Sequence, residues 1–206
     1  MEINQQFGQL ADEATVQKTV AALQQNGITA LLVRSGAEAK QKVLALLPRG
    51  SAVMNMTSMT LESLSVVKEV LESGSYNATR NQLSQLGSKK DAQRKQELGA
   101  APPYVVGSVH AVTQQGEVFI ASNTGSQLPA YAYGAAKVIW VVGTHKIVKD
   151  RAEGLRRLYE YSLPLEDQRA QQAYGQGSNV SKILIINKEV QENRITLIFV
   201  QEKIGF

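Results

Sequence analysis

Cysteine is absent from the chain. That absence excludes disulfides, a thiolate nucleophile and an iron–sulfur cluster ligated by the chain's own side chains. Redox chemistry, if any, then belongs to a partner or to a bound cofactor, and no particular cofactor is indicated. Only two histidines occur, His110 and His145. Neither has the carboxylate spacing of a zinc hydrolase, so no structural metal is expected. No apolar run approaches the ~20 residues of a membrane helix; the strongest, Val138–Val142, stops at Gly143. Residues 1–8 lack the basic-then-apolar order of a secretory signal, which predicts a cytoplasmic protein. No G-x-G-x-x-G, Walker-type or G-x-S-x-G motif is present, which argues against a Rossmann dinucleotide site, a P-loop and acyl-serine chemistry.

What is present fits one α/β domain. With 206 residues, 43% of them hydrophobic, the chain can bury one sizeable core. We read 1–206 as a single unit, with a helix–strand–helix part over 1–50 and the core over 51–206. The net charge of +4 is spread along the chain. Its dense cluster, Lys89, Lys90, Arg94 and Lys95, is interrupted by Asp91 and Glu97 and reads as a solvated helix face rather than a nucleic-acid contact.

Val16, Val20 and Leu23 mark a first amphipathic helix after Asp12, closed by Asn26-Gly27. Thr29–Arg34 predicts a strand, and Ser35 with Glu38 opens a second helix. Ala52–Met56 predicts another strand, followed by a helix over about 60–72 and a peripheral polar stretch over 77–97, broken near Gly87-Ser88. Tyr104–Thr113 and Glu117–Ala121 read as two strands about a Gln114-Gln115-Gly116 turn. Lys137–Val142 is apolar on both faces, as a covered parallel strand must be. A helix over about 151–161 follows, and Lys182–Asn187 with Ile195–Gln201 predicts a C-terminal antiparallel hairpin. The sum is a three-layer α/β fold with a largely parallel sheet and an N-terminal helical segment.

In such sheets ligands sit beyond the carboxyl ends of the strands. Three loops qualify. The first, residues 55–60, carries Ser58 and Thr60, which serve equally as helix caps or anion contacts. The second, after a strand, presents Thr124, Gly125, Ser126 and Gln127, with Gly107, Ser108 and His110 facing it from the preceding strand. The third leaves the best strand as Gly143-Thr144-His145-Lys146, and Lys146 is the leading charge-pairing candidate. His110 and Glu117 are the weak candidates for catalysis.

Several of these stretches carry a likeness. S-M-T-L at Ser58–Leu61, V-G-S-V-H-A-V-T-Q-Q-G-E at Val106–Glu117, T-G-S-Q from Thr124, and Y-G-A-A-K-V-I-W-V-V-G-T-H-K-I-V-K-D at Tyr133–Asp150 resemble the LUD domain family of lactate-utilisation proteins (LutC/YkgG-like). The resemblance implies a sheet of NagB/RpiA/CoA-transferase-like type and a role, with iron–sulfur partner proteins, in oxidising lactate to pyruvate. The expected ligand is a small carboxylate or phosphorylated metabolite, and a homo-oligomer is compatible with this reading. Two alternatives stay open. One is a stand-alone enzyme of the same fold, a CoA transferase or sugar-phosphate isomerase, using Glu62 or Glu117 as nucleophile or base. The other is a regulatory or nucleic-acid binder using the Lys89–Lys95 cluster.

Overall fold

A computed structural model describes residues 2–87 and 90–206. Asp12 caps α1 (Glu13–Gln25), its carboxylate accepting from Thr15 N–H at 2.7 Å. Strand β1 (Thr29–Val33) leads to α2 (Gly36–Leu46), capped by Ser35, while the Glu38 carboxylate accepts from Arg34 N–H at 3.0 Å. Then come β2 (Ala52–Asn55), α3 (Met59–Ser63) and α4 (Val66–Glu72). The single helix expected over 60–72 is thus two: Ser65 adopts φ +53° and breaks it. A left-handed residue cannot continue a right-handed helix.

The 77–97 stretch contributes the short strand β3 (Asn77–Ala78), α5 (Thr79–Ser84) and α6 (Ala92–Ala100). The break expected at Gly87-Ser88 falls partly outside the described residues, as does Lys89 of the basic cluster; Arg94 of that cluster pairs with Glu97 at 3.4 Å.

The Tyr104–Thr113 run divides between two sheets. Its first half is β4 (Tyr104–Gly107), and its second is β5 (Ala111–Thr113), antiparallel to β6 (Val118–Ser122). The division falls at Gly107, where an added Cβ would lie 1.7 Å from the Tyr131 hydroxyl. The hydroxyl end of the tyrosine fills the space a side chain at position 107 would need. Strand β7 (Lys137–Gly143), β8 (Ile147–Val148) and α7 (Arg151–Arg157) follow. The helix then runs beyond its expected end, through a π-helical turn at Leu158–Ser162 into α8 (Leu163–Tyr174). Pro164 does not stop it, because proline is tolerated in a first helical turn.

The last two strands are β9 (Lys182–Ile186) and β10 (Ile195–Val200). They do not form the expected hairpin. β9 pairs antiparallel with β6 in a four-stranded sheet ordered β8-β5-β6-β9, whereas β10 enters a six-stranded parallel sheet ordered β1-β10-β7-β4-β2-β3. Burial explains the separation. Leu197 and Phe199 join one core, Ile198 and Val200 the other, so β10 must be covered on both faces. An edge hairpin would leave one of those faces wet.

The parallel sheet separates the two large cores. One is closed by α2, α3 and α4; the other holds Leu23 of α1 together with Val112, Val118 and Ile120 of the smaller sheet. The architecture is α/β with a largely parallel principal sheet and covered faces on both sides. No helix among the described residues is long and apolar enough to cross a membrane.

Candidate functional site

The principal sheet has a point where its connections diverge. From β2 the chain moves outward to β3, whereas from β4 it moves the other way to β7. The loops leaving these neighbouring strands therefore run to opposite faces and open a crevice between them. A cavity of about 290 Å³ lies there, lined by the loop after β2, the residues after β4, the end of β6 with its following loop, and side chains from α8.

Lys146 forms its floor. After β7 a tight turn, Thr144–Lys146, turns the chain toward the smaller sheet and buries Lys146 to 2% exposure. Gly143 permits the turn, since a Cβ there would lie 2.6 Å from the His145 ring and 2.7 Å from the Glu202 carbonyl oxygen. The Lys146 Nζ donates to Thr60 Oγ1 at 3.2 Å, Ser108 Oγ at 3.2 Å and the Val109 carbonyl at 3.1 Å. No carboxylate among the described residues pairs with it. Burial, assisted by the charge of Arg157, holds its amine well below the usual lysine range.

Arg157, from the end of α7, is fully buried as well. It donates to the His110 carbonyl and to Ser162 Oγ (3.0 Å), and its guanidinium lies 4.9 Å over the Tyr161 ring. Burial pulls it down to about 9. His110 Nδ1 accepts from Ala121 N–H at 3.1 Å, which leaves the neutral ring's proton on Nε2. Burial, with the positive charges of Lys146 and Arg157, pushes this imidazole down to about 3. No Asp or Glu is among the described residues that are fully buried. The floor is thus rich in hydrogen-bond donors, poor in negative charge and shielded from water.

The rim adds two guanidinium groups. Arg80 donates to Thr57 Oγ1 at 3.0 Å, and Arg169 forms a bidentate pair with Glu166 at 2.7 Å for each contact. The loop after β6 is braced by its own side chains: Ser122 Oγ accepts from Gly125 N–H (2.8 Å) and donates to Gln127 Oε1 (2.9 Å). Gly125 supplies the φ of +89° at its tip.

Of the residues selected from sequence, Ser58, Thr60, Ser108, His110, Thr124, Ser126, Gln127 and Lys146 line this one cavity. Gly107, Gly125, Gly143 and Thr144 do not line it; the glycines shape the chain behind it, and Thr144 is buried in the turn. Glu117 lies away from the cavity in an ion pair with Arg151, and Glu62 is exposed and also outside the lining.

Asn55, Arg80, Arg157 and Arg169 went unselected. Asn55 ends β2, lines the cavity, and has both amide atoms buried without a partner among the described residues. Its signal in the sequence was an amide directly after an apolar strand. Arg157 gave none, because Arg156-Arg157 looks like any solvated basic pair on a helix. No group of three or more His, Asp or Glu placed to hold a metal occurs among the described residues.

The LUD domain family model matches residues 16–200, and the chain belongs to the LUD domain family. The crystal structure of a DUF162 family protein from Deinococcus radiodurans is similar to it, with a TM-score of 0.57 and 12% identity, covering 93% of this chain and 99% of that one. At that identity the likeness is one of fold. A partial likeness extends to eIF2B delta from Chaetomium thermophilum, with a TM-score of 0.38 and 18% identity over 66% of this chain and 55% of that one. No curated protein matches the chain.

Proposed function

We propose that this LUD-domain protein serves lactate utilisation by holding a small carboxylate metabolite on Lys146, while iron–sulfur partner proteins carry the electrons. The observation that carries the reading is a buried lysine in a preformed cavity, paired with no carboxylate among the described residues; Glu166, which also lines the cavity, is held by Arg169. Keeping an ammonium in such a place costs several kcal/mol, and keeping it neutral forgoes the charge that makes lysine useful. An anionic ligand resolves the conflict: its carboxylate replaces the missing counter-ion and returns the amine to its charged form.

The surrounding groups suit the same guest. Ser108 and Thr60 offer hydroxyls, His110 offers Nε2–H, and the free Asn55 amide offers one donor and one acceptor. That set matches a carboxylate bearing an adjacent oxygen. A chain without cysteine cannot ligate a cluster through its own thiolates, which is why the redox centres are assigned to partners.

Calorimetric titration with lactate and pyruvate tests the reading. Saturable binding of either acid, weakened at least tenfold in Lys146→Met, supports it; no heat from either acid opposes it. For the partner assignment, affinity capture from cells grown on lactate should return cluster-bearing proteins.

A further inference from the structure

We propose that Lys146 is a nucleophilic amine that forms a reversible imine with 2-oxo acids bound in the cavity. The inference rests on the acid-binding reading above and extends it to acids that carry a 2-oxo group: the desolvated neutral amine attacks the bound acid's carbonyl, and the proton otherwise taken up by the amine is taken up by the imine.

The geometry supplies what imine formation requires. Lys146 reaches the cavity from a tight turn between two strands, where Thr60 Oγ1, Ser108 Oγ and the Val109 carbonyl set the position of its Nζ; as a neutral amine it donates to two of these three and keeps its lone pair. Lysines become nucleophiles when they are desolvated or set beside another cation. Lys146 meets both conditions, being 2% exposed and lying within the field of the buried Arg157. No carboxylate among the described residues holds it as an ion pair.

The step balances without a further reagent. The Nζ lone pair attacks the carbonyl carbon; a C–N bond forms as the C=O π pair moves to oxygen. That oxygen gains a proton as nitrogen loses one, giving a carbinolamine. The nitrogen lone pair then expels the hydroxyl group, which leaves as water on gaining a second proton from solvent, and the protonated imine remains. Ser108 Oγ, 3.2 Å from Nζ, stands where it can relay these protons. The preference for 2-oxo acids over simple ketones follows from charge. A protonated imine in a site without buried acids needs a counter-ion, and the substrate's own carboxylate supplies one.

The experiment incubates the full chain with pyruvate and sodium cyanoborohydride near neutral pH, then maps the adduct by mass spectrometry. The proposal expects one carboxyethyl adduct per chain, on the peptide containing Lys146, suppressed by excess lactate and absent from Lys146→Arg. Because the wild-type protein carries the mapping and protection arms, the test does not depend on the variant's folding. Adducts confined to other lysines, or undiminished by lactate, overturn the proposal. Pyruvate binding by calorimetry without any adduct overturns the imine and leaves the acid-binding reading intact. Absence of both binding and adduct overturns both.

Discussion

Lys146 Nζ and Thr60 Oγ1 lie 3.2 Å apart although 86 positions separate them in the chain. The contact joins the turn after β7 to the first turn of α3. The threonine's own hydrogen is directed to the Ile204 carbonyl at 3.3 Å, so Thr60 is available to Lys146 as an acceptor. Thr60→Val keeps the shape and removes that acceptor. A hydrogen bond to a charged group contributes ~1.5–3 kcal/mol. Acid binding should therefore weaken about tenfold or more, read by titration calorimetry, with no change in the emission of Trp140, the single tryptophan.

Asn55 supports a prediction with opposite signs for stability and function. Its two amide atoms are buried without partners, and an unsatisfied buried polar group costs ~1–3 kcal/mol. Asn55→Leu should raise the urea midpoint of the ligand-free protein. The same variant should lose most of the thermal stabilisation that lactate gives the wild type. A lowered midpoint would assign Asn55 a structural role instead.

Gly107 and Tyr131 are interlocked. A Cβ on residue 107 would sit 1.7 Å from the tyrosine hydroxyl, and the Tyr131 ring stands edge-on to Trp140 with 5.3 Å between centroids. Gly107→Ala must displace the ring, at ~1–3 kcal/mol for overpacking a core. The denaturation midpoint should fall and the Trp140 emission should shift.

The two histidines set an acid limit on stability. Burial holds His110 down to about 3 and His145 to about 2, against an ordinary 6.5. In the unfolded chain both protonate near 6.5. Between that value and about 3 the unfolded state therefore binds more protons than the native state. Their contribution is complete above pH 6.5 and is lost as pH falls through this window, with a slope approaching ~1.4 kcal/mol per pH unit for each histidine. Urea midpoints measured from pH 7 to pH 5 should fall accordingly, and His145→Gln should roughly halve the dependence. A flat profile would contradict the burial argument.

Much of this arrangement is written in local chemistry. Ser35 caps the helix it is read to open, the first helix follows Asp12 as its apolar spacing predicts, and the two-faced apolar pattern of 137–142 places β7 between β10 and β4. The segments carrying Ser58, Ser108 and Lys146 converge because they follow β2, β4 and β7, whose carboxyl ends a parallel sheet gathers at one edge; Thr124 reaches the same cavity from β6 of the smaller sheet. What stayed hidden depends on tertiary partners. The need for glycine at 107 comes from Tyr131, 24 positions later by the numbering, and the separation of β9 from β10 is decided by which faces other elements cover. Arg157 is invisible for the same reason: it follows the exposed Arg156 in a basic pair, and only the packing of Tyr161, Ser162 and the His110 carbonyl around its guanidinium makes it a core residue.

Proton uptake on acid binding reports whether Lys146 receives the acid. Lactate and pyruvate are titrated at pH 7.5 in two buffers of different ionisation heat, into wild-type protein and Lys146→Met, with folding checked by Trp140 emission. Burial holds the amine well below its ordinary range, and a bound carboxylate raises it, so one-to-one binding is expected with a heat that differs between buffers in the sense of proton uptake. Lys146→Met, though folded, is expected to give no binding heat. Absence of binding to the wild type, or binding to Lys146→Met with wild-type affinity, would contradict this role of Lys146.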